Sequence, residues 1–165
     1  MRRVALLRGV NVGGHGKVAM PALKTVFEDA GAKNVVTYIQ SGNVAFSGPA
    51  SLNEKRLASL IEKAFKLNVS VTVRTHAQLG AVIDDCPFDT GVTHVAFLCG
   101  KPKVHHIDVS QFEPVKYAEH GGELYLYLPE GVGRDKMIPF IDRRIGVPMT
   151  VRNWNTVTKL YELSS

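Results

Sequence analysis

The sequence predicts an α+β protein built from two duplicated ferredoxin-like (β-α-β-β-α-β) subdomains, each followed by an added helix. Three repeated segments carry that reading. Val4-Ala5-Leu6-Leu7-Arg8-Gly9 returns as Val95-Ala96-Phe97-Leu98-Cys99-Gly100, an offset of 91 (residue 4 to residue 95). Tyr38, ahead of Ser41-Gly42-Asn43, matches Tyr117, ahead of His120-Gly121-Gly122, an offset of 79 (38 to 117). Thr72-Val73-Arg74 returns as Thr150-Val151-Arg152, an offset of 78 (72 to 150). Matches in one order, with offsets that change only between elements, indicate a duplicated unit. The division expected from this pattern is 1–88 and 89–165, packed as one compact body.

Each element has a local reason. The apolar run in Arg3 to Val10 predicts a strand buried on both faces. Leu23, Val26, Phe27 and Ala30 recur at helical spacing between Pro21 and Gly31, residues suited to a helix start and stop. Val35 to Gln40 and Val44 to Phe46 are strands joined by a hairpin turn at Ser41-Gly42-Asn43. Ser51-Leu52-Asn53-Glu54 has the pattern of a capping box opening a second helix, with Leu57, Leu60, Ile61, Ala64 and Phe65 on one face. Val69 to Arg74 closes the first unit, and the box Thr75-His76-Ala77-Gln78 opens the added helix, which ends before Pro87.

The second unit starts with a strand over His94 to Gly100. Its first helix, across His105 to Phe112, is short and rich in β-branched residues, which weakens the expectation. Strands follow at 114–119 and 123–128, then a helix from Lys136 to Ile145 and a closing strand, Thr150 to Arg152. Asn153 takes the capping role that Thr75 has in the first unit.

Composition limits the function classes. At 165 residues, 45% hydrophobic and 21% charged, the chain has enough material for a buried core. A net charge of +5 favours anionic ligands or nucleic acid without requiring either. Cys86 and Cys99 make neither a CxxC nor a zinc pattern, and the six histidines show no metal-ligand spacing. No cofactor or metal is expected. The run Val4 to Leu7 is too short for a signal segment or a membrane span, so the expected setting is cytoplasmic. No nucleophile lies in a recognised elbow, and no carboxylate pair stands out as acid and base. Nothing in the chain specifies its oligomeric state.

What does not repeat is informative. From Val4 to Tyr38 there are 34 steps, but from Val95 to Tyr117 only 22, so the first unit has about twelve extra residues. Much of the excess falls in Val10-Asn11-Val12-Gly13-Gly14-His15-Gly16-Lys17, where a strand leads into a helix and backbone amides can hold an anion. This is not a phosphate-binding Walker loop, because Asn11 and Val18 occupy positions that need Gly and Ser or Thr. A plain Gly-rich connection is the alternative reading.

Two further polar clusters complete the candidate ligand set. Gln40, Ser41 and Asn43 offer amide and hydroxyl groups, although a tight turn also selects Gly and Asn. Arg152, Asn153, Asn155 and Thr156 crowd a strand-to-helix junction around Trp154. With Arg8, Asn11, Gly13, Gly14 and Lys17, these residues suggest binding of a small phosphate- or carboxylate-bearing molecule. The competing reading is a nucleic-acid module stacking bases on Tyr125 and Tyr127, although Glu123 and the lack of an RNP1 pattern speak against it. A third reading uses the polar motifs only to tie the two halves together.

The segments Arg8-Gly9-Val10-Asn11-Val12-Gly13-Gly14, Tyr38-Ile39-Gln40-Ser41-Gly42-Asn43-Val44 and Arg152 to Thr156 together resemble the bacterial domain-of-unknown-function 1697 family. The resemblance runs from about residue 3 to residue 163. It implies an α+β fold with repeated subdomains and no established activity. One departure is Asp135 in Gly131-Val132-Gly133-Arg134-Asp135-Lys136, where the family usually has serine. Asp135 can still cap a helix, but its carboxylate would repel a phosphate, which argues against that loop as an anion cradle.

Overall fold

The computed structural model describes all of Met1–Ser165 and contains two four-stranded antiparallel sheets and five α-helices. Two compact units divide the chain: Met1–Leu79 together with Lys159–Ser165, and Gly80–Thr158. The division falls inside a helix rather than at residue 88, and the last seven residues count with the first unit.

In the first unit, β1 (Arg2–Leu7), α1 (Met20–Asp29), β2 (Lys33–Tyr38), β3 (Asn43–Ser47), α2 (Glu54–Phe65) and β4 (Val71–Thr75) follow in the predicted order. The sheet order β2-β3-β1-β4 is that of a ferredoxin-like unit. Ala5, Leu7, Val44, Phe46 and Val71 on one sheet face pack against Leu23 and Phe27 of α1 and Leu57 and Ile61 of α2. Burying a side chain of this size is worth about 1.5–3 kcal/mol, so this face is what holds the helices on the sheet. β1 stops at Leu7, three residues earlier than predicted. There Arg8 donates its amide to the Ser70 carbonyl at 3.0 Å, and Gly9, at φ +74, turns the chain away.

The start of α2 also differs from expectation. The capping side chain is Asn53, whose Oδ1 accepts the Arg56 amide at 2.9 Å, not Ser51. Glu54 turns instead to β4, accepting the Val73 amide at 2.8 Å and lying 3.6 Å from the Arg74 guanidinium.

The second unit contains β5 (Thr93–Leu98), β6 (Lys116–His120), β7 (Glu123–Tyr127), α4 (Met137–Asp142) and β8 (Met149–Asn153), in the sheet order β6-β7-β5-β8. The helix expected between its first two strands is reduced to a single 3-10 turn, Ser110–Phe112. Ile107, Val109, Phe112 and Val115 still reach the core from this irregular segment, and Phe112 packs edge-on against Phe140 at 5.1 Å. A β-branched stretch can thus cover the sheet without losing the side-chain entropy that a helix would demand of it.

The added helices α3 (His76–Asp84) and α5 (Trp154–Leu163) each begin where the closing strand of a unit ends. The Thr75–Gln78 box forms reciprocally, with bonds of 2.8 and 3.1 Å, and Asn153 Oδ1 accepts the Thr156 amide at 2.8 Å. Strand register supports the duplication residue by residue. Val4 lies opposite Arg74 in one sheet and Val95 opposite Arg152 in the other, so the offsets of 91 and 78 mark equivalent positions. The offset of 79 does not. Val36 pairs with Ala45 as Ala118 pairs with Tyr125, which makes the β2-to-β6 offset 82 (36 to 118) and the β3-to-β7 offset 80 (45 to 125). The shared tyrosine suggests a register that hairpin turns of different length do not keep. No helix is long and apolar enough to cross a membrane.

Candidate functional site

Residues 10–17 form a miniature β-hairpin. Val12 and His15 exchange backbone hydrogen bonds of 3.2 and 2.9 Å, and Asn11 donates its amide to the Gly16 carbonyl at 2.9 Å. The two residues at the tip, Gly13 and Gly14, have φ of +56 and +79, the left-handed pair that a tight two-residue turn requires. A Cβ on either would meet nothing within 4 Å, so these glycines serve the backbone and leave open space above the tip. Gly16 and Gly42 differ, because a Cβ would lie 2.7 Å from the Gly9 carbonyl or 2.6 Å from Val10.

The side chain of Asn11 anchors this hairpin. Its Nδ2 donates to the carbonyls of Val18 at 2.9 Å and Gln40 at 2.7 Å, while its Oδ1 accepts the Val18 amide at 2.9 Å. Three bonds from one amide join the hairpin, the entry to α1 and the β2–β3 turn. Asn43 is likewise internal: it is fully buried and donates to the Tyr38 carbonyl and to Ser41 Oγ, both at 2.9 Å. Asn11, Ser41 and Asn43 thus tie the hairpin and the β2–β3 turn together through internal bonds.

Beside them lies a shallow depression of about 600 Å³, lined by Asn11, Gly14, Lys17, Val18, Ala19 and Gln40. Lys17 and the Gln40 side chain are exposed, and neither makes an ion pair or side-chain hydrogen bond. Arg8 is exposed at the end of β1. The helix that starts at the rim, α1, has Ala19 as its N-cap and no side-chain cap. Pro21 in its first turn has no N–H, so the Met20 and Ala22 amides are the ones left with the partial positive charge that a capping oxygen would otherwise meet. The first acidic residue in the chain is Glu28, so Arg2, Arg3, Arg8, Lys17 and Lys24 precede any carboxylate in sequence.

In the second unit, the Arg152 cluster has a different character. Arg152 is buried, and its Nη1 donates to Thr150 Oγ1 at 2.7 Å and to the Val151 carbonyl at 3.0 Å. Desolvation pulls its pKa down to about 10, so it remains a cation at neutral pH. The equivalent residue in the first repeat, Arg74, makes the same bond to its preceding carbonyl, that of Val73, at 2.9 Å. Thr72 and Thr150 are both buried as well. Asn153 is a cap, Thr156 is buried behind it, and the carbonyl of Asn155 accepts Thr158 Oγ1 at 3.0 Å. The arginine–carbonyl bond beside a buried threonine is thus built once in each repeat. The signal that could have revealed this lies in the sequence, in the Thr-Val-Arg match itself.

The aromatic sheet face expected of a nucleic-acid module is absent. Tyr125 is 1% exposed, and its hydroxyl donates to the Val82 carbonyl at 2.7 Å, with burial raising its pKa. That carbonyl belongs to α3. Tyr127 is half-buried beside Phe88, with Lys116 Nζ 5.2 Å from its ring. Of the histidines, His105 meets a carboxylate that its sequence neighbourhood does not reveal, Glu119 at 3.0 Å. No group of three or more His, Cys, Asp or Glu side chains could hold a metal ion.

Two ferredoxin-like repeats, with a glycine-tipped hairpin only in the first, define a class of duplicated α+β proteins. The chain belongs to the family described as protein of unknown function (DUF1697), whose sequence profile matches residues 1–125. That span contains the hairpin and stops short of Arg152. The fold is similar to that of a conserved bacterial protein from Streptococcus pneumoniae, with a TM-score of 0.71 and 20% identity over 99% of this chain and 98% of that one. At that identity the likeness speaks for the fold alone. No curated protein matches.

Proposed function

We propose that the protein binds a small phosphate- or carboxylate-bearing molecule at the junction of the hairpin and α1. The observation that carries this reading is the uncapped start of α1 beside an unpaired Lys17, in a depression that the second repeat has no residues to build. Lys17 and Arg8 supply charge, the α1 amides and Gly14 allow close approach of an anion, and Gln40 can donate a hydrogen bond. The Arg152 cluster is left out of this ligand set because its groups are occupied within the scaffold. Binding, rather than catalysis, is the activity these groups support. A cytoplasmic setting accords with two cysteines that form no disulfide.

Thermal unfolding of wild type and Lys17→Ala against inorganic phosphate, nucleotides, sugar phosphates, carboxylic acids and a short single-stranded RNA tests the proposal. At a hundredfold its dissociation constant, a ligand should stabilise wild type by about 2.7 kcal/mol, a shift of several degrees. Lys17→Ala should abolish the shift while leaving the unliganded midpoint unchanged. An anion-induced shift that survives Lys17→Ala, or no shift with any anion, would overturn the proposal. A response to RNA alone would instead favour a nucleic-acid surface elsewhere on the chain.

A further inference from the structure

A second pocket, in the second unit, has a different chemistry. It holds about 350 Å³ and is lined by Pro114, Val115, Pro129, Glu130, Gly131, Gly133, Arg134 and Asp135. That volume lies at the lower end of the range for small-molecule sites. The pairing of Lys116 with Tyr127 brings the two segments together, setting the entry to β6 beside the exit from β7. Pro114, Val115 and Pro129 supply an apolar wall with few rotamers to lose on binding.

The rim presents both signs of charge, and they do not neutralise one another. Glu130 and Arg134 are exposed, and no ion pair joins Arg134 to Glu130 or Asp135. Asp135 Oδ2 accepts the Ile138 amide at 2.7 Å and its charge acts on nearby His94, while no hydrogen bond engages Oδ1. A simple anion would face two carboxylates here, and a simple cation would face the guanidinium. A ligand carrying both charges meets opposite charge at each end.

We infer that this pocket binds a free apolar amino acid as its zwitterion. Its carboxylate lies on Arg134, its ammonium between Asp135 and Glu130, and its side chain against the proline-lined wall. This site uses residues of the second unit only and is independent of the hairpin.

The test is an NMR titration of the full chain, following the Gly131 and Gly133 amides. L-Leucine, its methyl ester, which lacks the anion, and N-acetyl-L-leucine, which lacks the cation, serve as probes. Leucine should give saturable shifts, and each blocked form should bind at least about tenfold more weakly, the loss expected for one charge-assisted contact. Arg134→Ala should weaken leucine at least as much without altering the fold, since its side chain makes no internal bond. Lys17→Ala should leave leucine binding unchanged. Unsaturated shifts with leucine, equal binding of the ester, or indifference to Arg134→Ala would each overturn the assignment.

Discussion

His94 shows how a single residue can be set by its place in the sheet. It lies between Leu126 and Asn153 in the register of the second sheet, half-buried, with Nδ1 buried and without a hydrogen-bond partner. Desolvation lowers its pKa below the ordinary 6.5, and the nearby Asp135 charge opposes that only in part. The unfolded chain therefore binds more protons than the folded one between the folded pKa and 6.5. Stability from the neutral ring is fully present above that window and is lost as pH falls through it. Urea unfolding of wild type and His94→Gln from about pH 8 to about pH 5.5 should show wild type losing more stability on acidification. Parallel profiles would mean that the ring is solvated enough to titrate normally. Arg152 offers the opposite lesson at this scale. In sequence its polar neighbourhood looks like a ligand site, while the structure shows that Arg152 and its equivalent Arg74 each also bond to the carbonyl that precedes them.

At the scale of elements, the sequence is most legible where period and capping agree. Leu23 and Phe27, or Leu57 and Ile61, declare a helix face by spacing alone, and both pairs are buried. Thr75 with Gln78, and Asn153, declare helix starts because a side-chain acceptor must lie three residues before the amide it caps. Ser51 and Asn53 show the limit of that rule, since both have the right chemistry and only the path of the chain selects one. Asn53→Ala should accordingly cost about 1 kcal/mol, while Ser51→Ala should stay near zero. Denaturant midpoints measure both, and equal losses would place the cap elsewhere. The hairpin over 10–17 is legible as an insertion but not as a hairpin. Two glycines at a tip permit many paths, and what selects this one is the three-way bonding of Asn11 to Val18 and Gln40, a tertiary fact. The missing helix before β6 is the converse case: the β-branched content that weakens the expectation is also the reason a 3-10 turn suffices there.

For the whole molecule, order along the chain and membership of a unit are different things. Two copies read from the sequence suggest a cut near residue 88, yet the residues after Thr158 complete the first unit. Leu160 and Ser164 are buried, the Arg2 side chain donates to the Leu163 carbonyl, and His76 stacks on Tyr161 at 4.2 Å with its Nδ1 3.0 Å from Ser164 Oγ. Spacing can mark 154–163 as a helix but not its destination, because an apolar stripe says only that something covers it. Deleting Lys159–Ser165 should therefore weaken the unit that lies farthest away in sequence. Removing a buried apolar side chain such as Leu160 alone costs about 1.5–3 kcal/mol, a large fraction of a typical domain's stability. Amide exchange on a chain ending at Thr158 should show faster exchange at the Arg2 end of β1 and the Thr75 end of β4, which are paired through Arg3 and Thr75. The core amides of β5 and β7, whose unit keeps all its residues up to Thr158, should be affected less. If protection fell first in β5 and β7, the C-terminal segment would belong energetically to the repeat that precedes it, and the sequence-based division would be the better description.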